Sequence, residues 1–308
     1  MPFAKNETLP ILYFYWSYVR AEHTRQVYLH SRNVDSRITT ITAMSECRQP
    51  PPLLTGTLGL YQTCPISLPY FETNPHHPNK LIFVPGLTDT IGVVPYLPQL
   101  AANLDSISYS LVQPVKSSDL GGFGTSSLEG DAQELAQLIE HIKTRSSDPC
   151  VGKLVIMGHS TGCQDVLTFL SQDRLLSKET GDECIHVDGG ICQAPVSDHD
   201  YFEAHVTPHS AQQLQECRDK LFKNQPSALL DRSKSIHKPE SLHGRGTGNS
   251  EAVLNPAFTA YRFASLNDSN GDDDFFSNNF SDDQIRRGIM PALSRAPLLF
   301  LMGEQEYV

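Results

Sequence analysis

The sequence predicts an α/β fold: a mostly parallel sheet with helices on both faces and a lid inserted late in the chain. Three observations carry this reading. Short apolar runs rich in branched residues recur at Lys80–Val84, Tyr109–Pro114, Leu154–Met157, Val187–Pro195 and Pro297–Met302, of the length shown by strands buried on both faces. Between them lie helical patterns, so that strand and helix alternate. The run Leu154-Val155-Ile156-Met157 passes straight into Gly158-His159-Ser160-Thr161-Gly162 and then into a further helical pattern, the order strand, sharp turn, helix.

The elements follow in order. Residues 1–52 have no clear period and no glycine, and we read them as an N-terminal extension that packs a few aromatics, among them Tyr13, Phe14, Tyr15 and Trp16. From residue 53 to residue 308 the chain reads as one catalytic domain. Two short β-like pieces, Thr57–Tyr61 and Ile66–Phe71, lead to the loop Asn74-Pro75-His76-His77-Pro78-Asn79. Lys80–Val84 is the first buried strand and ends in the turn Pro85-Gly86-Leu87-Thr88-Asp89. Val94–Leu104 reads as a helix and Tyr109–Pro114 as the next strand. The glycine-rich stretch Gly121–Ser127 lacks a following Gly-Lys-Ser/Thr, so it is read as a loop at the mouth of the site and not as a phosphate cradle. Ser126 and Glu129 are spaced as a capping box, and Leu135, Leu138, Ile139 and Ile142 share one helix face. Between about residues 196 and 296 the text is polar, helix and loop, the natural character of a lid. In it Ser210 and Gln213 are spaced as a capping box, and Leu214, Cys217 and Leu221 fall on one face.

Chemistry enters at the turn. A serine hydroxyl is a poor nucleophile at neutral pH and must be lifted clear of the sheet edge, where a base takes its proton. Gly158 and Gly162 leave room for so sharp a bend, which exposes Ser160 as the expected nucleophile. The backbone N–H of Thr161, at the start of the following helix, is placed to hold the anion formed when a carbonyl is attacked. In α/β-hydrolases the second such N–H comes from the loop after an early strand, which here makes it that of Leu87. His159 points away from where a base must lie and is read as packing or orientation. The chain order of such triads is serine, acid, histidine. An acid at the tip of the strand Pro297–Met302 is on schedule, whereas no histidine follows it before Val308.

Composition sets the exclusions. A formal charge of -11 with no lysine or arginine cluster argues against nucleic acid as a partner. Seven scattered cysteines without a Cys-x-x-Cys pair suggest neither a disulfide framework nor a zinc site, and fit a reducing compartment. The run Ile11–Val19 is too short to span a bilayer and has no small-residue cleavage site, so the expected location is cytoplasmic. His76-His77, between prolines, is read as a solvated turn, and Gly271-Asp272-Asp273-Asp274 with Asp282-Asp283 as a solvated acidic turn that lacks the ligand spacing of a calcium loop. No cofactor and no metal are expected. Oligomeric state is left open.

Five stretches together resemble a known family. They are Met157–Asp165, Gly122-Phe123-Gly124-Thr125-Ser126-Ser127-Leu128, Gln193-Ala194-Pro195-Val196-Ser197-Asp198, Tyr261-Arg262 and Gly271–Ser277. They are similar to a group of eukaryotic, mainly fungal, α/β-hydrolases of the siderophore esterase type, over about residues 58–308. The resemblance implies that Ser160 is the nucleophile, that Thr161 and Leu87 form the oxyanion hole, and that the substrate is an ester of a secondary metabolite such as a hydroxamate siderophore. Where the family's closing motif looks like Gly-x-Asp-Glu-Tyr-Val-Pro, this chain has Gly303-Glu304-Gln305-Glu306-Tyr307-Val308, with Gln305 in place of the aspartate. An amide does not stabilise an imidazolium as a carboxylate does. Glu306 is then the candidate acid, because it follows the strand tip, with Glu304 as the alternative. The resemblance further implies a histidine beyond this motif, after a last strand, and the expectation is a chain truncated ahead of it. Two functions follow: a serine esterase working through an acyl-enzyme, or an impaired hydrolase-like protein that binds a small molecule without efficient turnover.

Overall fold

The computed structural model describes residues 53–145, 152–172, 185–231 and 256–303, and before them the backbone of two strands. Those two are β1 (Phe14–Tyr18) and β2 (Val27–Leu29); then come β3 (Thr57–Gln62), β4 (Leu68–Glu72), β5 (Asn79–Val84), β6 (Tyr109–Pro114), β7 (Leu154–His159), β8 (Gly189–Gln193) and β9 (Leu298–Gly303). All nine lie in one sheet in the order β2-β1-β9-β8-β7-β5-β6-β4-β3. From β1 through β9, β8, β7 and β5 to β6 every pairing is parallel, and antiparallel pairs close the two ends. Two strands of the segment read as an extension thus join the sheet edge next to β9.

The helices are α1 (Leu97–Asp105), α2 (Leu128–Thr144), α3 (Gly162–Ser171), α4 (Asp198–Ala204), α5 (Pro208–Phe222), α6 (Ala260–Asn267), α7 (Asp282–Gly288) and α8 (Met290–Arg295). Side chains of a strand point alternately to its two faces, and the central strands sort accordingly. Leu81 and Phe83 of β5, Leu111 of β6 and Met157 of β7 pack on α1. Ile82 and Val84, Val112, and Leu154 and Ile156 face the other way, onto α2, α3 and α8. This is why the strands read as unbroken apolar runs: neither face meets water. The structure has the α/β-hydrolase architecture.

Two helix starts differ from the sequence reading, each for a local reason. The residue capping α2 is Ser127, in extended backbone, whose Oγ accepts the Gly130 N–H. Ser126 instead donates to Phe123 O. Helix α5 begins two residues before Ser210: Pro208, with its φ preset for a first helical turn, follows the cap Thr207, and Thr207 and Ser210 form a reciprocal capping box. Gln213 is buried in the middle of that helix.

Above the sheet, α4, α5 and α6 enclose a smaller core of Phe123, Phe202, Leu214, Cys217, Phe258 and Phe263. Its phenylalanines meet edge to face, Phe258 and Phe263 with ring centres 5.7 Å apart. Leu87 packs against this cluster, so the lid region rests on the turn after β5. Among the described residues Cys64, Cys163, Cys192 and Cys217 are free thiols, and no helix is long and apolar enough to cross a membrane.

Candidate active site

Ser160 follows β7 directly and has φ of 55°, in the left-handed region that costs an ordinary residue energy. The turn is held from both sides. The Ser160 N–H donates to Gln193 O at the end of β8 (3.0 Å), and Ser160 O accepts the N–H of Cys163 (3.0 Å). Its glycines are required by close approach. A Cβ on Gly158 would lie 2.2 Å from Gly162 O, and one on Gly162 would lie 2.4 Å from Val84 O and 2.6 Å from Pro85 O. The chain therefore crosses itself backbone to backbone at Gly158, and α3 starts hard against the end of β5.

The turn after β5 presses on the serine in the same way. A Cβ on Gly86 would be 3.0 Å from Ser160 Cβ and 3.5 Å from its Oγ. Next in the chain, the Leu87 N–H donates to the Thr161 Oγ1 at 2.5 Å. The structure thus brings Leu87, Ser160 and Thr161 together. Glu304 and Glu306 lie outside the described residues, which end at Gly303.

Three described histidines use Nδ1 in bonds away from Ser160. His159 Nδ1 pairs with Gln193 Oε1 (2.5 Å), which also accepts from Tyr96 OH (2.8 Å), and its ring stacks on Phe83. That is the packing and orienting part expected of it. His199 Nδ1 bonds Asn267 O and His205 Nδ1 bonds Tyr201 O, and none of these bonds reaches Ser160.

Beside Leu87 and Thr161 opens a cavity whose floor is charged: Lys116, Asp119, Asp131, Asp165, Arg262 and Asp273. Arg262, 3% exposed, donates from Nη1 to Asp273 Oδ2 (2.5 Å) and from Nε to Phe123 O (2.9 Å). Ser265 Oγ donates to the same Asp273 oxygen. Lys116 Nζ bonds Asp119 Oδ1 at 2.7 Å and lies 3.7 Å from Asp165 Oδ2. Gln164 Nε2 ties Asp198 Oδ2 to α3 (3.2 Å).

Carboxylates outnumber cations here, and protonation follows. Burial, and then the charge of Asp131, push the Asp165 carboxyl far above the usual range. Burial raises Asp131 too, against the pull of Lys116 and a bond to Ser118. Burial and Asp273 push Asp198 up to about 7. Burial alone would lower Lys116 and Arg262, but the facing carboxylates outweigh it and hold both charged.

This network corrects the reading of Gly271–Asp274 as a solvated turn. Asp273 is 3% exposed, because the turn folds inward onto Arg262; Asp272, which bonds Tyr261 OH, stays outside. The sequence held one usable signal: Asp131 stands one turn before Leu135 on the buried stripe of α2, where an acid needs a partner. In the loop Asn74–Asn79 His76 is exposed, while His77, its side chain 14% exposed, bonds Asp105 at 2.7 Å; no group of three or more metal-ligating side chains is assembled among the described residues.

Comparison with known proteins agrees with the fold. The model of the family described as "Protein of unknown function (DUF1749)" matches residues 44–308. An esterase of Emericella nidulans is 32% identical over 256 residues, covering 75% of this chain and 68% of that one. The fusarinine C esterase of Aspergillus fumigatus is 29% identical over 261 residues, covering 75% and 71%. Among solved structures, the siderophore hydrolase EstB from Aspergillus fumigatus superposes with a TM-score of 0.62 at 26% identity, over 82% of this chain and 78% of that chain.

Proposed function

This chain belongs to the DUF1749 family of α/β-hydrolases, and from that premise we propose that it is a serine esterase. The observation that carries the proposal is the conformation of Ser160: a non-glycine residue at φ of 55°, locked between two backbone crossings at the end of a central strand. Strain of this kind persists only where the surroundings enforce it, and its effect is to present a hydroxyl.

The reaction is acyl transfer to Ser160 Oγ. As the oxygen bonds to the ester carbonyl carbon, the π pair moves onto the carbonyl oxygen and the serine proton passes to a general base. Collapse of the tetrahedral intermediate expels the alcohol, which takes that proton, and leaves the acyl-enzyme. Water, deprotonated by the same base, then releases the acid. Glu306, with Glu304 as the alternative, is proposed to orient the base. The substrate is proposed to be an ester of a bulky secondary metabolite, of the hydroxamate siderophore kind; the two Aspergillus relatives, named for fusarinine C and for a siderophore, support it.

Purified full-length chain incubated with p-nitrophenyl acetate and, separately, with an ester-linked hydroxamate siderophore tests both levels. Release of nitrophenolate and of the siderophore's hydroxy acid, both lost in Ser160→Ala, is expected. Wild-type rates equal to those of Ser160→Ala overturn the esterase and favour a binding protein without turnover.

A further inference from the structure

An oxyanion hole assembled from the Leu87 and Thr161 amides has one difficulty in this structure: the Leu87 proton is already given. Its N–H donates to Thr161 Oγ1 at 2.5 Å. For Leu87 to serve an oxyanion directly, that bond must break or be shared during the reaction, and strength lost from a bond made before the transition state counts against the rate. The alternative keeps the bond. A hydroxyl that accepts from an amide retains its own proton to donate, and accepting strengthens it as a donor.

The hydroxyl is also in the right place. Thr161 directly follows Ser160, its residue caps the N-terminus of the ten-residue helix α3, and no side-chain capping bond uses its oxygen there. The loop bearing Leu87 lies against Ser160, with a Cβ on Gly86 only 3.5 Å from Ser160 Oγ. Thr161, Gly86 and Leu87 line the same cavity. The helix N-terminus adds a field that favours negative charge at this point.

We propose that Thr161 holds the oxyanion twice, through its backbone N–H and through its Oγ–H, and that the Leu87 N–H stands behind the hydroxyl as a positioning group. This rests on the esterase reading above. Thr161 Oγ is then a catalytic group, and its contribution appears in the transition state alone.

The test compares the wild type with Thr161→Val and Thr161→Ser, using p-nitrophenyl acetate turnover and inhibition by a trifluoromethyl ketone against its methyl ketone counterpart. Valine keeps the shape and the backbone N–H and removes only the hydroxyl. The expected result is a fall in kcat of about 100-fold with KM unchanged, as for loss of one oxyanion donor. Weaker binding of the trifluoromethyl ketone accompanies it, the methyl ketone is unaffected, and Thr161→Ser recovers kcat to within about tenfold of the wild type. Thr161→Ala serves in place of the valine variant if the latter does not fold. An active wild type with a valine variant of equal or higher kcat overturns the inference, makes Leu87 the direct donor, and leaves the esterase standing. A wild type whose ester turnover equals that of Ser160→Ala overturns both.

Discussion

Replacing Arg262 by methionine removes the charge at the centre of the buried network while keeping most of the side chain's length. Arg262 is 3% exposed and Asp273 is equally buried, so the 2.5 Å ion pair between them is screened by almost no water. Asp131, Asp165 and Asp198 also feel the guanidinium. Removing one partner of such a pair leaves a buried charge uncompensated, at a cost of about 3–5 kcal/mol. Phe123 O loses its donor as well, which adds about 1–3 kcal/mol if no other group replaces it. Against a whole-domain stability of about 5–15 kcal/mol, the loss is severe. It also depends on pH with a definite sign. Without Arg262 the facing carboxyls hold protons more tightly when folded than when unfolded, so folded stability falls as pH rises. Urea unfolding followed by far-UV circular dichroism at pH 5.5 and 7.5 reads this: the deficit of Arg262→Met is expected to be larger at pH 7.5. The double variant with Asp273→Asn is expected to recover more than about 1 kcal/mol relative to the sum of the singles, because the stranded charge is gone. A deficit under about 1 kcal/mol at pH 7.5, or one that grows towards acid, refutes the account of the network.

Three further outcomes are expected. Gly158→Ala sets a Cβ 2.2 Å from Gly162 O, backbone on both sides, so the bend must open; stability drops by about 1–3 kcal/mol and kcat/KM by about 100-fold, measured by thermal melts and ester turnover. The Asp198 carboxyl, at about 7, keeps its proton in the folded state well above the unfolded range; its stabilisation is complete below about pH 4 and is lost as pH rises through 7. Asp198→Asn, always neutral, therefore gains on the wild type between pH 5 and 8 in melting midpoint, and a flat or reversed difference contradicts this. Phe263→Ala empties the middle of the lid core, where the ring is fully buried, and is expected to cost about 3–5 kcal/mol by chemical unfolding.

The central strands were legible because burial on both faces leaves a plain mark: β5, β6 and β7 fall on largely apolar runs, and they and the half-buried β8 and β9 lie within about two residues of their expected ends. The bend at Ser160 was legible because two glycines at fixed spacing between a strand and a helix have few other uses. Capping was misplaced at α2 and α5, since Ser126 and Ser127, or Thr207 and Ser210, are chemically alike and only backbone angles choose between them. The network was not legible. Asp131, Asp165, Asp198, Arg262 and Asp273 are far apart in sequence and meet only once α2, α3, α4 and α6 stack. The resemblance quoted four of these five without a reason for them; their common position around Arg262 supplies it. The bond from Leu87 to Thr161 Oγ1 was equally out of reach, because a pattern that names two backbone donors says nothing of a side chain standing between them.

The central claim is that the Ser160 hydroxyl is the reacting group, and covalent trapping tests it most directly. Full-length protein treated with a fluorophosphonate and digested for peptide mass spectrometry should carry one phosphonyl group, on the peptide containing Ser160, and Ser160→Ala should carry none. An unmodified wild type, or an adduct that persists in Ser160→Ala, would contradict it.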